Sequence, residues 1–343
     1  MLVSRLRAAA HALFPPRGEE KKSKVEAKRH AGLSLPSQVA GDAGAPCGIV
    51  CAVRRLALIV NPAAGGGRPA RALAQVQAAL RGLGLEQRFE YTSSLEHARE
   101  LALAAVGAGE VAVAFGGDGL IGAVAGALKH SEGVMGVLPG GRGNDLCRVL
   151  GIPSKPVAAC SVLASGVERP LDLGEAGRRT FAGIASCGFD SLVNRIANES
   201  TVVHGSPVYA YALLRALPSW KAAGFEVTLD GSMTRRFTGY SVAAANSKQF
   251  GGGMRLAPAA SLTDGLLDVV IIEDMPKLRF LRLAPTVFAG RHVGYRGVEV
   301  IRGREVRIES AQPFTVYADG EAIAELPVTV RVLPAAVRVI MPR

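Results

Sequence analysis

The stretch that decides the fold is VAVAF, Val111–Phe115, which runs into Gly116-Gly117-Asp118-Gly119 and then into LIGAVAGALK, residues 120–129. A short apolar run rich in valine predicts a strand buried on both faces, and the longer small-residue run beyond the glycines predicts a helix. The same grammar recurs on either side. Leu56–Val60 leads into Asn61-Pro62-Ala63-Ala64-Gly65-Gly66-Gly67 and a helix over Ala70–Leu83 opened by Pro69. Val134–Leu138 leads into Pro139-Gly140-Gly141-Arg142-Gly143-Asn144-Asp145. Between them Arg88–Tyr91 reads as a strand and Leu95–Ala108 as a helix. This alternation predicts an α/β body with a doubly wound parallel sheet, whose ligands bind beyond the carboxyl ends of the strands. All three glycine loops fall at those ends.

Each loop has a chemical and a plain reading. The three glycines at 65–67 let backbone N–H groups approach an anion in front of a helix N-terminus, although a flexible turn also explains them. The spacing is neither that of a Walker A loop nor that of GxGxxG. In Gly116–Gly119, Asp118 is suited to hold a Mg²⁺-bound water or to accept a proton, and equally to cap the helix that follows. In the third loop Arg142 can clasp a phosphate bidentately, while Asn144 and Asp145 open the next helix. Three such loops on one sheet edge point to a nucleotide-phosphate site.

Beyond Leu171 the rhythm changes to short strands: Thr180–Ser186, Phe225–Leu229, Thr234–Thr238, Ser241–Ala245, Val269–Ile272, Val298–Ile301, Val306–Glu309, Thr315–Ala318 and Val328–Leu333. Asp230-Gly231 is placed as a hairpin turn, and helices are expected near Leu192–Ala197, Tyr209–Trp220 and Lys277–Ala289. A mostly antiparallel β-sandwich is therefore expected over 171–343, its last strand packing back on an α/β domain over 51–170. In Tyr209–Trp220, Leu213, Leu214, Leu217 and Trp220 recur at helical spacing, which suits core packing and also an acyl-chain entrance.

Of the formal net charge of +11, residues 1–55 hold +6, from ten Lys/Arg against four Asp/Glu. Residues 1–50 read as a basic leader, either a disordered tail or a weak amphipathic tether through Leu2, Leu6, Leu13 and Phe14. A mildly basic body suits an anionic partner such as a nucleotide or a phospholipid surface. Aromatics at 5% with one tryptophan argue against base stacking, and no nucleic-acid partner is expected. No stretch approaches the length of a membrane span. The five cysteines form no CxxC pair, and the six histidines lack metal-ligand spacing. Cys160 and Cys187 sit in apolar runs and read as buried small hydrophobes.

In order and separation, NPAAGGG, GGDG and LPGGRGND resemble the diacylglycerol kinase catalytic domain family, bacterial lipid kinases related to sphingosine kinases and distantly to NAD kinases. NSKQFGGGMRLAPAASLTDGLLDVV (Asn246–Val270) and YADGEAI (Tyr317–Ile323) extend the resemblance to the second body. The resemblance implies an NAD kinase-like nucleotide domain and a β-sandwich, with ATP and lipid meeting between them. It implies nucleotide contacts at Asn61, Pro62, Ala63, Ala64, Gly65, Thr92, Gly116, Gly117, Asp118, Gly119, Leu120, Gly141, Arg142, Asn144 and Asp145. It also implies Mg²⁺ at Ser261, Asp264 and Leu266, and a proton acceptor at Glu321, with Asp118 the alternative. Without the resemblance, Glu321 is an exposed hairpin acid. The family usually reads GGDGTxNE, where this chain has Leu120, Gly122 and Ala123, and usually carries GT where this chain has Arg142. The expectation is an ATP- and Mg²⁺-dependent lipid kinase, cytoplasmic and peripheral at the inner membrane surface, with diacylglycerol to phosphatidic acid as the leading reaction. A lipid-binding pseudokinase, a sphingoid or NAD acceptor, and a homodimer stay open.

Overall fold

The computed structural model describes residues 54–203 and 207–343; the leader, together with Cys47 and Cys51, falls within 1–53, outside the described residues. Four parallel strands build the first half: β1 (Arg55–Val60), β2 (Glu86–Tyr91), β3 (Val111–Gly116) and β4 (Val134–Pro139), in spatial order β4-β3-β1-β2. Apart from their first residues, β1, β3 and β4 are buried throughout, as strands covered on both faces must be. The helices are α1 (Ala64–Gly82, kinked where residues 65–67 are not helical), α2 (Leu95–Gly107), α3 (Asp118–Ala127), α4 (Asp145–Val149) and α5 (Pro156–Ser165). The chain steps outward from β1 to β2 and then back across β1 to β3. Right-handed crossovers therefore put α1 on one face and α2 with α3 on the other. The contacts agree, α2 packing with α3 and α1 with α5. Ala98, Ala102 and Ala105 on α2 are fully buried, small enough to bring the helix close to the sheet.

The second half contains β5 (Val167–Ala176), β6 (Arg179–Phe181), β7 (Ile184–Gly188), α6 (Phe189–Glu199), α7 (Pro207–Ala216), β8 (Ala223–Leu229) and β9 (Met233–Ala245). It continues through β10 (Leu267–Glu273), α8 (Lys277–Leu283), β11 (Val298–Gly303), β12 (Glu305–Ser310), β13 (Thr315–Ala318), β14 (Glu321–Glu325) and β15 (Val328–Met341). The pairings among these strands are antiparallel. Asp230 and Gly231 both take positive φ and turn β8 into β9. The two short strands expected over 234–245 are one 13-residue strand, and the segment expected as a single strand over 180–186 is split between β6 and β7. The helix expected over Lys277–Ala289 gives way to a 3₁₀ turn at Ala284–Ala289, where Pro285 interrupts it. The strand β15 pairs with β12 and β5, and its far end runs parallel to β4, Val339 opposite Met135. Cys160 and Cys187 are buried, and burial pushes their thiols up to about 11 and about 12.

Candidate active site

The three glycine loops meet at the carboxyl ends of β1, β3 and β4. Asn61 N donates to Phe115 O at 3.1 Å, and Gly140 N donates to Gly116 O at 2.7 Å. Arg68, which the sequence did not single out, donates from Nη1 to Gly141 O at 2.8 Å and ties the first loop to the third. Gly65, Gly66 and Gly67 take φ of 56°, 72° and 85°, three consecutive left-handed residues that only glycine adopts without strain. Asn61 Oδ1 accepts Ala63 N at 3.1 Å, closing the turn that carries Pro62, Ala63 and Ala64. Gly117 packs against Gly141 so closely that a Cβ on Gly141 would lie 2.5 Å from the Gly117 Cα.

Several side chains have a more local task than expected. Asn144 is left-handed and clamps the third loop, its Oδ1 accepting Gly141 N at 2.8 Å and its Nδ2 donating to Gly141 O at 3.1 Å. Thr92 follows β2, but its hydroxyl is committed to Ser94 O at 2.5 Å. Leu120 turns into the hydrophobic core below Gly116, so only its main chain is available to a ligand. Arg142, by contrast, is exposed and has no hydrogen bond or ion pair among the described residues. It stands as an unspent positive charge beside the loops.

Three acids converge behind the glycines. Asp118 heads α3, yet it does not cap that helix; its Oδ1 accepts Leu146 N from α4 at 3.3 Å. Burial, reinforced by the Asp145 charge, pushes its carboxyl up to about 6. Asp145 is buried, accepting Gly252 N at 2.8 Å from the second half and Arg148 Nη1 at 2.9 Å; burial raises its carboxyl too. Asp319 accepts Ala182 N at 2.9 Å and Gly183 N at 3.0 Å, and burial, with Asp118 and Asp145 adding repulsion, pushes it up to about 7. Gly143 threads between the first two acids, where a Cβ would lie 2.9 Å from Asp118 Oδ2 and 3.0 Å from Asp145 Oδ2. At Gly122, where the family usually carries Asn, a Cβ would lie 2.9 Å from Asp319 Oδ2. The space that a larger residue would need is used by the Asp319 carboxyl.

Asp319 lines the cleft and was not singled out from the sequence, although its Asp-Gly-Glu turn was in view. Glu321 follows it at the start of β14, exposed, with its side chain against Gly119: a Cβ there would lie 3.4 Å from Glu321 Cγ and from Oε1. The turn therefore packs on the first turn of α3, and Asp118, Asp319 and Glu321 belong to one locality.

The expected metal loop lies elsewhere. Asp264 pairs with Arg302, whose Nε also lies 3.1 Å from Asp268 Oδ1. Ser261 contacts Thr263, Asp264 Oδ1 accepts Leu266 N at 3.2 Å, and Gly265 N donates to Asp172 at 2.7 Å. A guanidinium thus occupies the one carboxylate of the set Ser261, Asp264 and Leu266. None of the three lines the cleft that holds Asp118 and Asp319.

That cleft is a cavity of about 1700 Å³ with two characters. At one end lie Asp118, Gly143, Asp145, Asp319 and Gly320; the rest is walled largely by apolar side chains such as Phe189, Val193, Leu213, Phe250, Phe280 and Val287. Phe189 packs edge-on to Trp220, Tyr240 and Phe280 at centroid distances of 5.3, 5.7 and 5.3 Å, which stiffens this wall. The Tyr209–Trp220 segment divides between its two readings. Tyr209, Ala210 and Leu213 line the cavity, while Leu217 and Trp220 belong to the core. Among the described residues no group of three His, Cys, Asp or Glu converges tightly enough to hold a metal ion, and no helix is long and apolar enough to cross a membrane.

Residues 55–176 match the diacylglycerol kinase catalytic domain, and residues 183–341 match the YegS C-terminal NAD kinase beta sandwich-like domain. A diacylglycerol kinase of Mycobacterium tuberculosis is 33% identical over 300 residues, covering 85% of this chain and 96% of the relative. One of Bacillus subtilis is 29% identical, covering 85% and 97%. A crystal structure of a diacylglycerol kinase from Bacillus anthracis superposes with a TM-score of 0.63 at 18% identity, covering 84% of this chain and 96% of that one.

Proposed function

Since the chain belongs to the diacylglycerol kinase family, we propose that it moves the γ-phosphate of ATP, with Mg²⁺, onto the hydroxyl of a lipid, with diacylglycerol to phosphatidic acid as the leading reaction. The observation that carries this reading is the cavity: an apolar chamber of about 1700 Å³ opens at one end onto the buried acids beside the glycine loops. A soluble acceptor has no use for so much apolar wall, whereas acyl chains fill it favourably.

Phosphoryl transfer asks a protein mainly for positioning and charge stabilisation. In this reading the backbone N–H groups of the three loops receive the phosphates, and Arg142 adds the positive charge that the missing GT pair does not supply. Among the described residues no three ligands gather for a metal ion, so a Mg²⁺ that entered with the nucleotide would be held at most in part by Asp118. Bound there, it would supply neutralisation of the charge on the transferring group. Glu321, exposed beside Gly119, takes the proton of the lipid hydroxyl, while enclosed Asp118 orients the nucleotide end. The protein works as a peripheral enzyme at the cytoplasmic membrane surface, where ATP and lipid are both at hand.

The test is transfer of labelled γ-phosphate to diacylglycerol, monoacylglycerol, ceramide and sphingosine in mixed micelles, with NAD as soluble control. Labelled phosphatidic acid is expected. Glu321→Gln should lower kcat by at least about 100-fold, as loss of a general base does, with ATP affinity kept. Arg142→Ala should weaken ATP. Intact ATP binding with no labelled product would overturn the kinase reading, and Asp118→Asn lowering kcat while Glu321→Gln does not would exchange the two roles.

A further inference from the structure

The strands β10 and β11 are antiparallel neighbours, with Ile272 opposite Val298, and a short hairpin turn would suffice to join them. The chain instead uses residues 274–297, an excursion that carries α8 and the 3₁₀ turn. Its inner side has a clear task, since Phe280, Leu283 and Val287 line the apolar part of the cavity. The outer side is different. Of the nine exposed large apolar side chains among the described residues, three lie here: Leu278 at 61%, Val293 at 41% and Tyr295 at 53%. On α8, helical spacing sets Leu278 and Arg282 opposite the inward Phe280 and Leu283. Between Asp274 and Glu299 there is no acid, but there are Lys277, Arg279, Arg282, Arg291 and Arg296, all exposed. Lys277 Nζ donates to Pro218 O at 2.7 Å, and the four arginines have no ion pair among the described residues. Glu273 and Glu299, at the two ends of the excursion, are both taken by Arg235.

Apolar tips set among unpaired cations suit one occupant above others, an anionic phospholipid bilayer. The apolar groups enter the acyl boundary while the guanidinium groups stay with the lipid phosphates, and a tyrosine is at home at that depth. The place of the patch agrees. Ala289, Arg291 and Arg255 both line the cavity and are exposed, so the cavity reaches solvent beside this excursion. The surface is also held in shape. Buried His292 donates from Nε2 to Leu256 O at 2.9 Å, Arg255 N donates to Val287 O at 3.0 Å, and Glu273 N donates to Gly297 O at 2.9 Å. We infer that the outer side of residues 276–296 is the face that docks the protein on an anionic bilayer. Leu278, Val293 and Tyr295 enter the interface, and Arg279, Arg282, Arg291 and Arg296 meet its phosphates. Resting on the lipid kinase reading, the substrate then passes from the bilayer into the apolar part of the cavity with little exposure to water, and the acid end is left to the nucleotide.

The experiment uses the full-length chain, so that the basic leader is the same in every sample. Proteins are floated with vesicles of phosphatidylcholine plus phosphatidylglycerol, or of phosphatidylcholine alone, at low and high salt. Arg279→Ala combined with Arg282→Ala should weaken binding to the anionic vesicles about 25-fold, about fivefold for each charge, and the difference should close in high salt. Leu278→Ala combined with Tyr295→Ala should weaken it about tenfold at either salt, as lost apolar insertion does. Arg81→Ala combined with Arg178→Ala removes the same charge from exposed, unpaired positions outside the excursion and should stay within about threefold of wild type. All variants should keep the wild-type Tm. Phosphate transfer to dispersed dioctanoylglycerol should hold within about twofold, while transfer to dioleoylglycerol embedded in anionic vesicles falls with the binding. A loss in the Arg279/Arg282 variant no larger than in the control overturns the inference, as does an equal loss on phosphatidylcholine alone. Unchanged flotation of the Leu278/Tyr295 variant overturns it too, and would leave the patch to an acidic protein partner. So does an equal fall in transfer to both lipids, which would place these residues in the reaction itself. Flotation that responds as expected with no transfer to any lipid would leave the docking face standing and defeat the kinase reading.

Discussion

At the scale of single residues, the acids explain why the glycines beside them cannot be replaced. Gly143 and Gly122 leave room for carboxyls that have little water and much mutual repulsion. The cost appears in stability. Asp118 titrates near 6 in the folded chain against 3.8 when unfolded, so its neutral form favours folding fully below about pH 4, and that contribution is lost as the pH rises through 6. Without nucleotide, Asp118→Asn should match wild type in stability at pH 4 and exceed it at pH 8 by an amount on the order of 2–3 kcal/mol. Part of that gain comes from Asp319, which Asp118 helps to push up. Urea unfolding of both proteins from pH 4 to 8 measures the difference. A gap that is flat with pH would mean that Asp118 is not strained by its surroundings.

At the scale of elements, β10 and β11 account for the guanidinium found at the expected metal loop. Asp268 and Arg302 are directly opposite in their antiparallel register, and Asp264 sits just before β10 within reach of the same guanidinium. The sequence displayed the loop around Asp264 in full, but its counter-charge lies on another strand, and only the register brings it there. The glycine loops were legible because each is a local event between a strand and the helix after it. The cage of Asp319 was not, because its partners, Ala182 and Gly183, lie between β6 and β7, far away in the sequence. Asp268 is 1% exposed and Arg302 is its only ion-pair partner among the described residues. Arg302→Gln should therefore cost about 2 kcal/mol, less than a fully buried pair because the guanidinium is partly solvated. Mg²⁺ alone should leave the wild-type Tm unchanged and raise that of Arg302→Gln, since the vacated position then presents Asp264 and Asp268 to a cation. A wild-type Tm that climbs with Mg²⁺ in the absence of nucleotide would restore the loop as a metal site.

At the scale of the whole molecule, the sequence reads as two bodies, yet the sheet runs through both. The reason is β15, expected only over Val328–Leu333, whereas it runs on past Pro334, a residue with no N–H to give to a ladder. The strand survives by a register shift between Leu333 and Val337, where Ala335 turns left-handed and its N–H donates to Asp172 Oδ1 at 2.7 Å. Beyond the shift it continues along β5, a strand concealed in the sequence by Glu168, Arg169, Pro170 and Asp172, and reaches β4. Asp145 adds a second tie through Gly252, so the acid end of the cavity is assembled from both halves. Cooperative unfolding is the consequence. Calorimetry should give one transition, with calorimetric and van't Hoff enthalpies in agreement. Val339→Asp, placing a charge at a position 1% exposed opposite Met135, should lower that transition as a unit, by about 3 kcal/mol or more, and weaken ATP and lipid binding together. If the substitution instead split the melt in two, with one half unfolding at the wild-type temperature, β15 would be a seam between independent domains, and the site would depend on their docking rather than on a shared sheet.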